Sequence, residues 1–201
     1  MAVGLRDLKG EIAQFTSSGC PPVLDFAVPW RRHCQRNNNF IIKKVASQRP
    51  DLLVLTANWL LNPDSVEKIG NTVDAVRRVS PATRIVVVGN LPQWKPDLAT
   101  TLWMSGKPIA AGVRLTGTDF SELVDLDARL VVQSRANNVE FFSPIEFLCE
   151  EDGCLAVTDY LGRTSLMAED YGHITKDAAN LIVSQLFMRL SKGINNAAAN
   201  Q

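Results

Sequence analysis

The segment Asp170-Tyr171-Gly172-His173-Ile174-Thr175 holds two residues whose types and spacing could do acid–base chemistry. A carboxylate three residues before a histidine, at the start of a helix, can hold the proton of one imidazole nitrogen and fix the tautomer of the ring. The other nitrogen can then take a proton from a hydroxyl nucleophile. Asp170 is therefore predicted to orient the ring and His173 to act as general base. The alternative is a surface aspartate that caps a helix beside a bystander histidine.

The serines do not offer a partner for this pair. A hydrolase serine lies in a tight turn between a buried strand and a helix, often within Gly-x-Ser-x-Gly. The sequence contains neither that motif nor Gly-Asp-Ser. Ser143 follows a predicted strand, but Pro144 comes next and no glycine flanks it. None of the serines has the full context that a nucleophile needs.

Two other residues could stabilise a developing oxyanion. Asn58 follows the apolar run Leu52–Thr56, and a side-chain amide there could donate into an active-site crevice, an effect of roughly 3–4 kcal/mol in known sites. Gly19 follows a strand predicted over Ile12–Thr16, and its backbone N–H could serve the same purpose. The alternatives are a turn asparagine that satisfies local backbone and a turn glycine without a role in chemistry.

The elements that must position these residues alternate between strand and helix. Continuous apolar runs at Leu52–Thr56 and Arg84–Val88 are typical of parallel strands buried on both faces. A third strand is predicted over 139–142, and a hairpin around Gly162. Helices are predicted over 3–11, 37–48, 63–79, 95–105, 120–136 and 175–190, with Asn37 or Asn38 as the cap of the second. This alternation predicts an α/β fold with an open, mostly parallel sheet and helices on both faces. Ligands are expected at the carboxyl ends of the strands, where the candidates are Asn58-Trp59, Asn90 and the loop of Asp170 and His173.

Composition limits the class of protein. The 201 residues suit one domain, predicted over 1–194 with a flexible tail over 195–201. Lys+Arg and Asp+Glu both number 21, so neither nucleic acid nor an anionic membrane is the expected partner. No apolar run approaches the roughly 18 residues of a membrane span. Charged residues at positions 6, 7 and 9 interrupt any signal peptide.

The four cysteines fall into two local pairs, Cys20 with Cys34 and Cys149 with Cys154. Four cysteines allow three connectivities, and pairing within each local pair is the simplest. Reduced thiols in a cytosolic protein are the alternative. A zinc site is less expected, because the spacings are not Cys-x2-Cys and His33 is the only nearby imidazole.

An ordered set of motifs resembles the SGNH hydrolase superfamily, and more narrowly the periplasmic SGNH domain fused behind acyltransferase-3 membrane proteins that O-acylate bacterial surface polysaccharides. The motifs cover nearly the whole chain and are Gly19-Cys20-Pro21-Pro22, Cys34 with Asn37, the segment 50–59, Gly89-Asn90-Leu91-Pro92, Leu148-Cys149 with Cys154, and the segment 170–175.

The resemblance implies a three-layer SGNH fold and roles for four residues. Asp170 and His173 match the Asp-x-x-His block of the triad. Asn58 stands at the oxyanion asparagine, although Thr56 and Trp59 replace the glycine and aspartate that usually flank it. Gly19 matches the oxyanion glycine. The resemblance also implies disulfides Cys20–Cys34 and Cys149–Cys154, a periplasmic location, an acyl donor and a carbohydrate acceptor as substrates, a membrane acyltransferase-3 domain as partner, and neither cofactor nor metal.

The family carries its nucleophile in Gly-Asp-Ser at the end of a first strand, and Met1–Leu5 reads like the residues that follow such a motif. We therefore expect the chain to start one strand late. Its hydrolytic activity should then be near background, and the loss of a central strand should leave it poorly stable. A non-catalytic acyl- or glycan-binding or docking module is the second interpretation, and an unrelated flavodoxin-like domain with chance matches is the third.

Overall fold

The structure is a computed structural model that describes residues 11–198. The helix predicted over 3–11 lies outside this range except for Glu11. The described residues form two compact units. The sheet unit comprises Phe15–Leu91 and Asp119–Phe147, and the histidine unit comprises residues 11–14, Pro92–Thr118 and residues 148–198. The single domain over 1–194 stays a prediction.

A parallel three-stranded sheet organises the sheet unit and confirms the predicted α/β class. Its strands are β1 (Leu52–Thr56), β2 (Arg84–Val88) and β4 (Glu140–Phe142), in the order β1-β2-β4. Thr56 lies opposite Val88, and Val88 lies opposite Phe142. The three strands therefore end at the same edge, and the residues that follow them are neighbours there.

Burial distinguishes the central strand from its neighbour. In β2 the four residues from Ile85 to Val88 are all buried, as expected of a strand covered on both faces. In β1 only Leu55 is fully buried, and Thr56 is exposed. The sequence predicted both strands to be buried on both faces. β1 differs because, within the described residues, it is paired along one side only.

The helices of the sheet unit pack against the sheet and share one apolar core with it. They are α1 (Cys34–Gln48), α2 (Ile69–Val79), α4 (Phe120–Ala136) and the short α5 (Pro144–Leu148). Two 3₁₀ segments, Trp59–Leu61 and Pro63–Lys68, precede α2. The residues at helical spacing on α2, Ile69, Val73 and Val76, are completely buried. They share a core with Ile85 and Val87 of β2 and with Leu130 of α4.

Helix α1 begins earlier than its sequence predicts. The pattern predicted a start at 37, with Asn37 or Asn38 as the cap. The helix instead starts at Cys34. Asn38 is buried, and its Nδ2 donates to the carbonyls of Pro21 and Val23, both at 2.9 Å. Helix-capping rules consider only neighbouring residues, so they do not predict bonds to partners this far away in sequence.

The histidine unit contains two helices and five short strands within the described residues. The helices are α3 (Leu98–Ser105) and α6 (Lys176–Ala198), and the strands are β3 (Arg114–Leu115), β5 (Cys149–Glu150), β6 (Gly153–Leu155), β7 (Val157–Tyr160) and β8 (Arg163–Leu166). β7 and β8 form the predicted hairpin around Gly162, and β3, β6 and β5 form an antiparallel sheet. Residues 11–16 have no regular secondary structure, so the predicted strand over Ile12–Thr16 is wrong. α6 runs beyond the predicted boundary at 194.

Candidate functional site

Asp170 and His173 form a hydrogen-bonded pair in the turn before α6. Asp170 Oδ2 lies 2.6 Å from His173 Nδ1. Its second oxygen, Oδ1, accepts from the backbone N–H groups of Gly172 at 2.9 Å and His173 at 2.8 Å. Both carboxylate oxygens are therefore committed within four consecutive residues, and the histidine is oriented by its own turn.

The hydrogen bonds to Asp170 determine its charge state. The backbone N–H groups of Gly172 and His173, followed by the imidazole, lower the pKa of Asp170 to about 2. The carboxylate is thus ionised at neutral pH and accepts the proton carried on His173 Nδ1. In the neutral ring, Nε2 is then the basic nitrogen. The His173 side chain is 73% exposed, so this base is accessible to a reacting hydroxyl.

The backbone around the pair is anchored within the histidine unit. Trp94 N donates to the Tyr171 carbonyl at 2.8 Å, and Leu98 N donates to the Asp170 carbonyl at 3.2 Å. Glu169 N donates to the His173 carbonyl at 2.7 Å, which closes the loop on itself. The bonds from Trp94 and Leu98 could not be predicted from local sequence, because each joins segments more than seventy residues apart.

Thr175 fixes the start of α6 behind the histidine. Its Oγ1 accepts from Ala178 N at 3.3 Å and donates to the Leu166 carbonyl at 2.7 Å. Its carbonyl accepts from Ala179 N, the first bond of the helix. Thr175 is therefore the N-cap of α6, which begins one residue after the predicted start at 175. The cap also ties the helix to the end of β8.

The ring of Tyr171 meets the His173 imidazole edge to face, with centroids 5.6 Å apart. Tyr171 is itself exposed. This aromatic contact restricts rotation of the imidazole. Tyr171 and Asp170 together hold the imidazole, and the bond to Asp170 uses Nδ1 rather than Nε2.

Asn58 lies in the sheet unit, two residues beyond the end of β1. It precedes the 3₁₀ segment that starts at Trp59 and is partly exposed. Its Oδ1 is buried and has no hydrogen-bond partner within residues 11–198. Its Nδ2 donates no hydrogen bond within that range either. The amide therefore has an uncommitted donor, which an oxyanion role requires.

Gly19 also lies in the sheet unit, in a turn with φ of +69° that favours glycine. Its carbonyl accepts from Asn62 Nδ2 at 3.1 Å. A Cβ at this position would lie 3.5 Å from Arg31 Nε, so only the backbone conformation opposes a side chain.

The structure thus brings Asp170 and His173 together and places Asn58 and Gly19 in the other unit. The roles predicted for these four residues remain predictions.

A buried polar network at the carboxyl end of the sheet was largely missed by sequence reasoning. Asp127 of α4 is 7% exposed, and its Oδ1 accepts from Asn90 N at 3.1 Å. Its Oδ2 accepts from the hydroxyl of Ser143. Burial raises the pKa of Asp127, and the bonds from Ser143 and Asn90 oppose that rise. The sequence signal that could have indicated its burial is the helical spacing of Asp127 with Leu123 and Leu130, which are both buried.

The network continues to the segment after β1. Asn90 is 1% exposed, and its Oδ1 accepts from Trp59 N at 3.1 Å. The Trp59 indole is fully buried and donates to the Val88 carbonyl at 3.0 Å. The sequence had placed Asn90 at the correct edge of the sheet, but not its contact with the residue after Asn58.

Both disulfides join the local pairs of cysteines. Cys20 and Cys34 are bonded across 14 positions of sequence, and Cys149 and Cys154 across 5. The reduced-thiol alternative is therefore not what the structure contains. His33 lies within 4.8 Å of both sulfurs of the first bridge. Because those sulfurs are bonded to each other, neither is a thiolate that could bind zinc.

Within the described part of the chain, the helices are all too short or too polar to cross a membrane.

Comparisons with known proteins give a family and a fold. A family model described as "SGNH domain (fused to AT3 domains)" matches residues 1–187. The chain is also similar to the periplasmic domain of a lipopolysaccharide acetyltransferase from Salmonella ser. Paratyphi A, with 22% identity and a TM-score of 0.70. That match covers 85% of this chain and 69% of the other. At this identity the likeness concerns the fold. No curated protein sequence matches the chain.

Proposed function

The chain belongs to the family of SGNH domains that are fused to AT3 domains, and on that premise we propose that it takes part in acyl transfer to a cell-surface polysaccharide. The observation that carries the proposal is the oriented and exposed imidazole of His173. Its Nδ1 is held 2.6 Å from an ionised carboxylate, which leaves Nε2 as the base. A helix-capping aspartate alone would not require the imidazole to be held in this way.

In the proposed reaction, a serine hydroxyl attacks the carbonyl carbon of an acyl donor while His173 Nε2 takes its proton. Asp170 stabilises the imidazolium that results. The donor alcohol leaves with that proton, and an acyl-serine remains. A sugar hydroxyl then gives its proton to Nε2 and attacks the acyl-serine, which forms the new ester and frees the serine. Asn58 and the Gly19 N–H are the proposed oxyanion donors.

The serine is the part that these 201 residues do not supply, since they contain no Gly-Asp-Ser. We propose that it comes from a segment outside them and that the 201 residues alone hydrolyse esters near background. The partner would be a membrane acyltransferase-3 domain, as the family description of fusion to AT3 domains supports. The two disulfides support an extracytoplasmic location, because such bridges persist in oxidising compartments. An acetyl group and a lipopolysaccharide-type acceptor are the first substrates to try, given the activity of the similar periplasmic domain.

The test is p-nitrophenyl acetate hydrolysis by the complete protein that contains the nucleophile segment. We expect His173→Ala to lower kcat at least about 100-fold, the lower end of the range for a general base. Asp170→Asn should also lower kcat, because Nδ1 would lose its anionic acceptor. His33→Ala, which removes the other histidine of the chain, is the matched control and should leave kcat unchanged. Equal rates for wild type and His173→Ala would exclude the triad.

A non-catalytic binding or docking module is the second candidate, and the absent Gly-Asp-Ser favours it. It predicts saturable binding of an O-acylated glycan to the 201 residues. In that case the His173→Ala variant would bind as well as wild type, and no extended form of the protein would show turnover that depends on His173.

A further inference from the structure

The donor predicted in Asn58 has no hydrogen bond of its own to hold it. Its Oδ1 is buried without a partner within residues 11–198. A catalytic donor that is free to rotate stabilises an oxyanion poorly, because its orientation must be set before the reaction. The neighbouring residues should therefore contain the element that holds Asn58.

That element is visible in the residue that follows. Trp59 N donates to Asn90 Oδ1 at 3.1 Å, and the Trp59 indole donates to the Val88 carbonyl at 3.0 Å. Two bonds thus attach Trp59 to the end of β2, one through its backbone and one through its side chain. The peptide that links Asn58 to Trp59 is fixed by the first of them.

Asn90 is in turn fixed by Asp127. The buried carboxylate accepts from Asn90 N at 3.1 Å and from the hydroxyl of Ser143, which immediately precedes α5. Ser143 Oγ also accepts from Glu146 N at 3.0 Å. One carboxylate on α4 therefore joins the segments that follow β2 and β4, and Asn90 extends the connection to the segment that follows β1.

Gly89 shows how closely the carboxylate approaches the strand end. A Cβ at Gly89 would lie 2.5 Å from Asp127 Oδ1 and 2.8 Å from Oδ2. The carboxylate thus occupies the space that a side chain at 89 would fill. A buried carboxylate in an apolar core is unfavourable unless it is well hydrogen-bonded. Packing alone therefore does not account for a carboxylate at this position.

We propose that Asn90 and Asp127 are positioning residues that hold the Asn58 amide in the orientation needed to stabilise the oxyanion. This inference rests on the proposed acyl-transfer function for its kinetic consequence. Its structural part is that the bond from Trp59 N to Asn90 Oδ1 fixes the backbone from which the Asn58 side chain projects, and this part depends only on contacts within the sheet unit.

The kinetic test compares Asn58→Ala, Asn90→Ala and the double variant in the complete protein. Loss of an oxyanion donor lowers kcat by roughly 10²–10³. We expect Asn58→Ala to fall in that range, Asn90→Ala to lose at least about 10-fold in kcat with KM within about threefold, and the double variant to be no slower than Asn58→Ala. Asp127→Ala should behave like Asn90→Ala, and Asp127→Asn, which keeps an acceptor for Asn90 N, should recover most of the activity.

The matched control is Thr83→Val. Thr83 is buried in the same unit, and its hydroxyl donates to the Pro50 carbonyl at 2.7 Å, at the opposite end of the strands. It should lower stability without changing kcat per folded molecule. If Asn90→Ala keeps the wild-type kcat while Asn58→Ala is slow, or if the two losses multiply in the double variant, the proposal is overturned.

A second measurement separates this proposal from the proposed function. In the 201-residue chain, three-bond NMR couplings report the χ1 angle of Asn58. We expect one rotamer in wild type and in Thr83→Val, and averaged couplings in Asn90→Ala. If the complete protein shows no turnover that depends on His173, the function has failed, and these couplings alone decide the inference: a single unchanged rotamer in Asn90→Ala refutes it.

Discussion

Gly89→Ala is expected to destabilise the protein through one contact. The added methyl carbon would lie 2.5 Å from Asp127 Oδ1, whereas ordinary contacts of a Cβ begin near 3.4 Å. The carboxylate would have to retreat by about 0.9 Å, the difference between these two distances. Gly89 does not have a positive φ, so the alanine adds no backbone strain and the contact alone is tested.

The magnitude follows from what that retreat breaks. The Asn90 N to Asp127 distance of 3.1 Å would grow to about 4 Å, beyond hydrogen-bonding range. A hydrogen bond to a charged group contributes about 1.5–3 kcal/mol, and overpacking costs about 1–3 kcal/mol. Alanine also lowers the conformational entropy of the unfolded chain relative to glycine, which offsets about 0.4–1 kcal/mol of this loss. The net loss in free energy of unfolding should be about 3 kcal/mol.

The assay is urea unfolding in two backgrounds, wild type and Asp127→Ala. Removal of the carboxylate opens the space beside Gly89, so Gly89→Ala should cost less than about 1 kcal/mol in that background, a coupling of the size seen between contacting residues. Gly162→Ala is the control, since a Cβ there meets nothing within 4 Å. Its cost should be the same in both backgrounds. A Gly89→Ala cost that is equal in the two backgrounds would refute the reasoning.

Three further outcomes follow from the described contacts. Because backbone N–H groups are the largest cause of the low pKa of Asp170, the pKa should stay well below 3.8 in His173→Ala by carboxyl ¹³C NMR, and a return to 3.8 would identify the imidazole as the main cause. Because folding lowers the pKa of Asp170, its ionised carboxylate stabilises the fold fully above the pKa of the unfolded chain. This stabilisation is lost as the pH falls through about 2. Thr175→Ala removes the N-cap of α6 and should cost about 1 kcal/mol in urea unfolding, with Thr175→Ser close to wild type; equal losses for both would deny the capping role. Replacing Cys20 and Cys34 by serine should cost about 3 kcal/mol, since the bridge closes a loop of about 15 residues, and a loss below about 1 kcal/mol would contradict the chain-entropy account.

The parts of the fold that the sequence predicted are those that depend on local pattern. The bounds of β1, β2 and α4 match the predicted ones, because apolar runs and helical periodicity arise from neighbouring residues. The Asp170–His173 pair was predictable for the same reason, since three positions separate the two residues. The local cysteine pairs were equally close in sequence.

The parts that were missed depend on partners far along the chain. Asn38 looked like a helix cap, but it bonds to the carbonyls of Pro21 and Val23. Asp127 looked like one more charge on an amphipathic helix, and only the fold shows that it lies against Asn90 and Ser143. In such cases the favourable bond is made across the fold, and local propensity contains no information about it.

The order in which the chain visits the two units limits how such a domain can be divided. β1 and β2 precede Pro92–Thr118, which belong to the histidine unit, whereas β4 follows them. Any continuous stretch of gene that encodes all three strands of the parallel sheet therefore also encodes part of the other unit. Neither unit can be duplicated, deleted or exchanged as a single cassette. Recombination that exchanges all three strands therefore also exchanges Trp94 and Leu98, whose backbone N–H groups anchor the loop of Asp170 and His173.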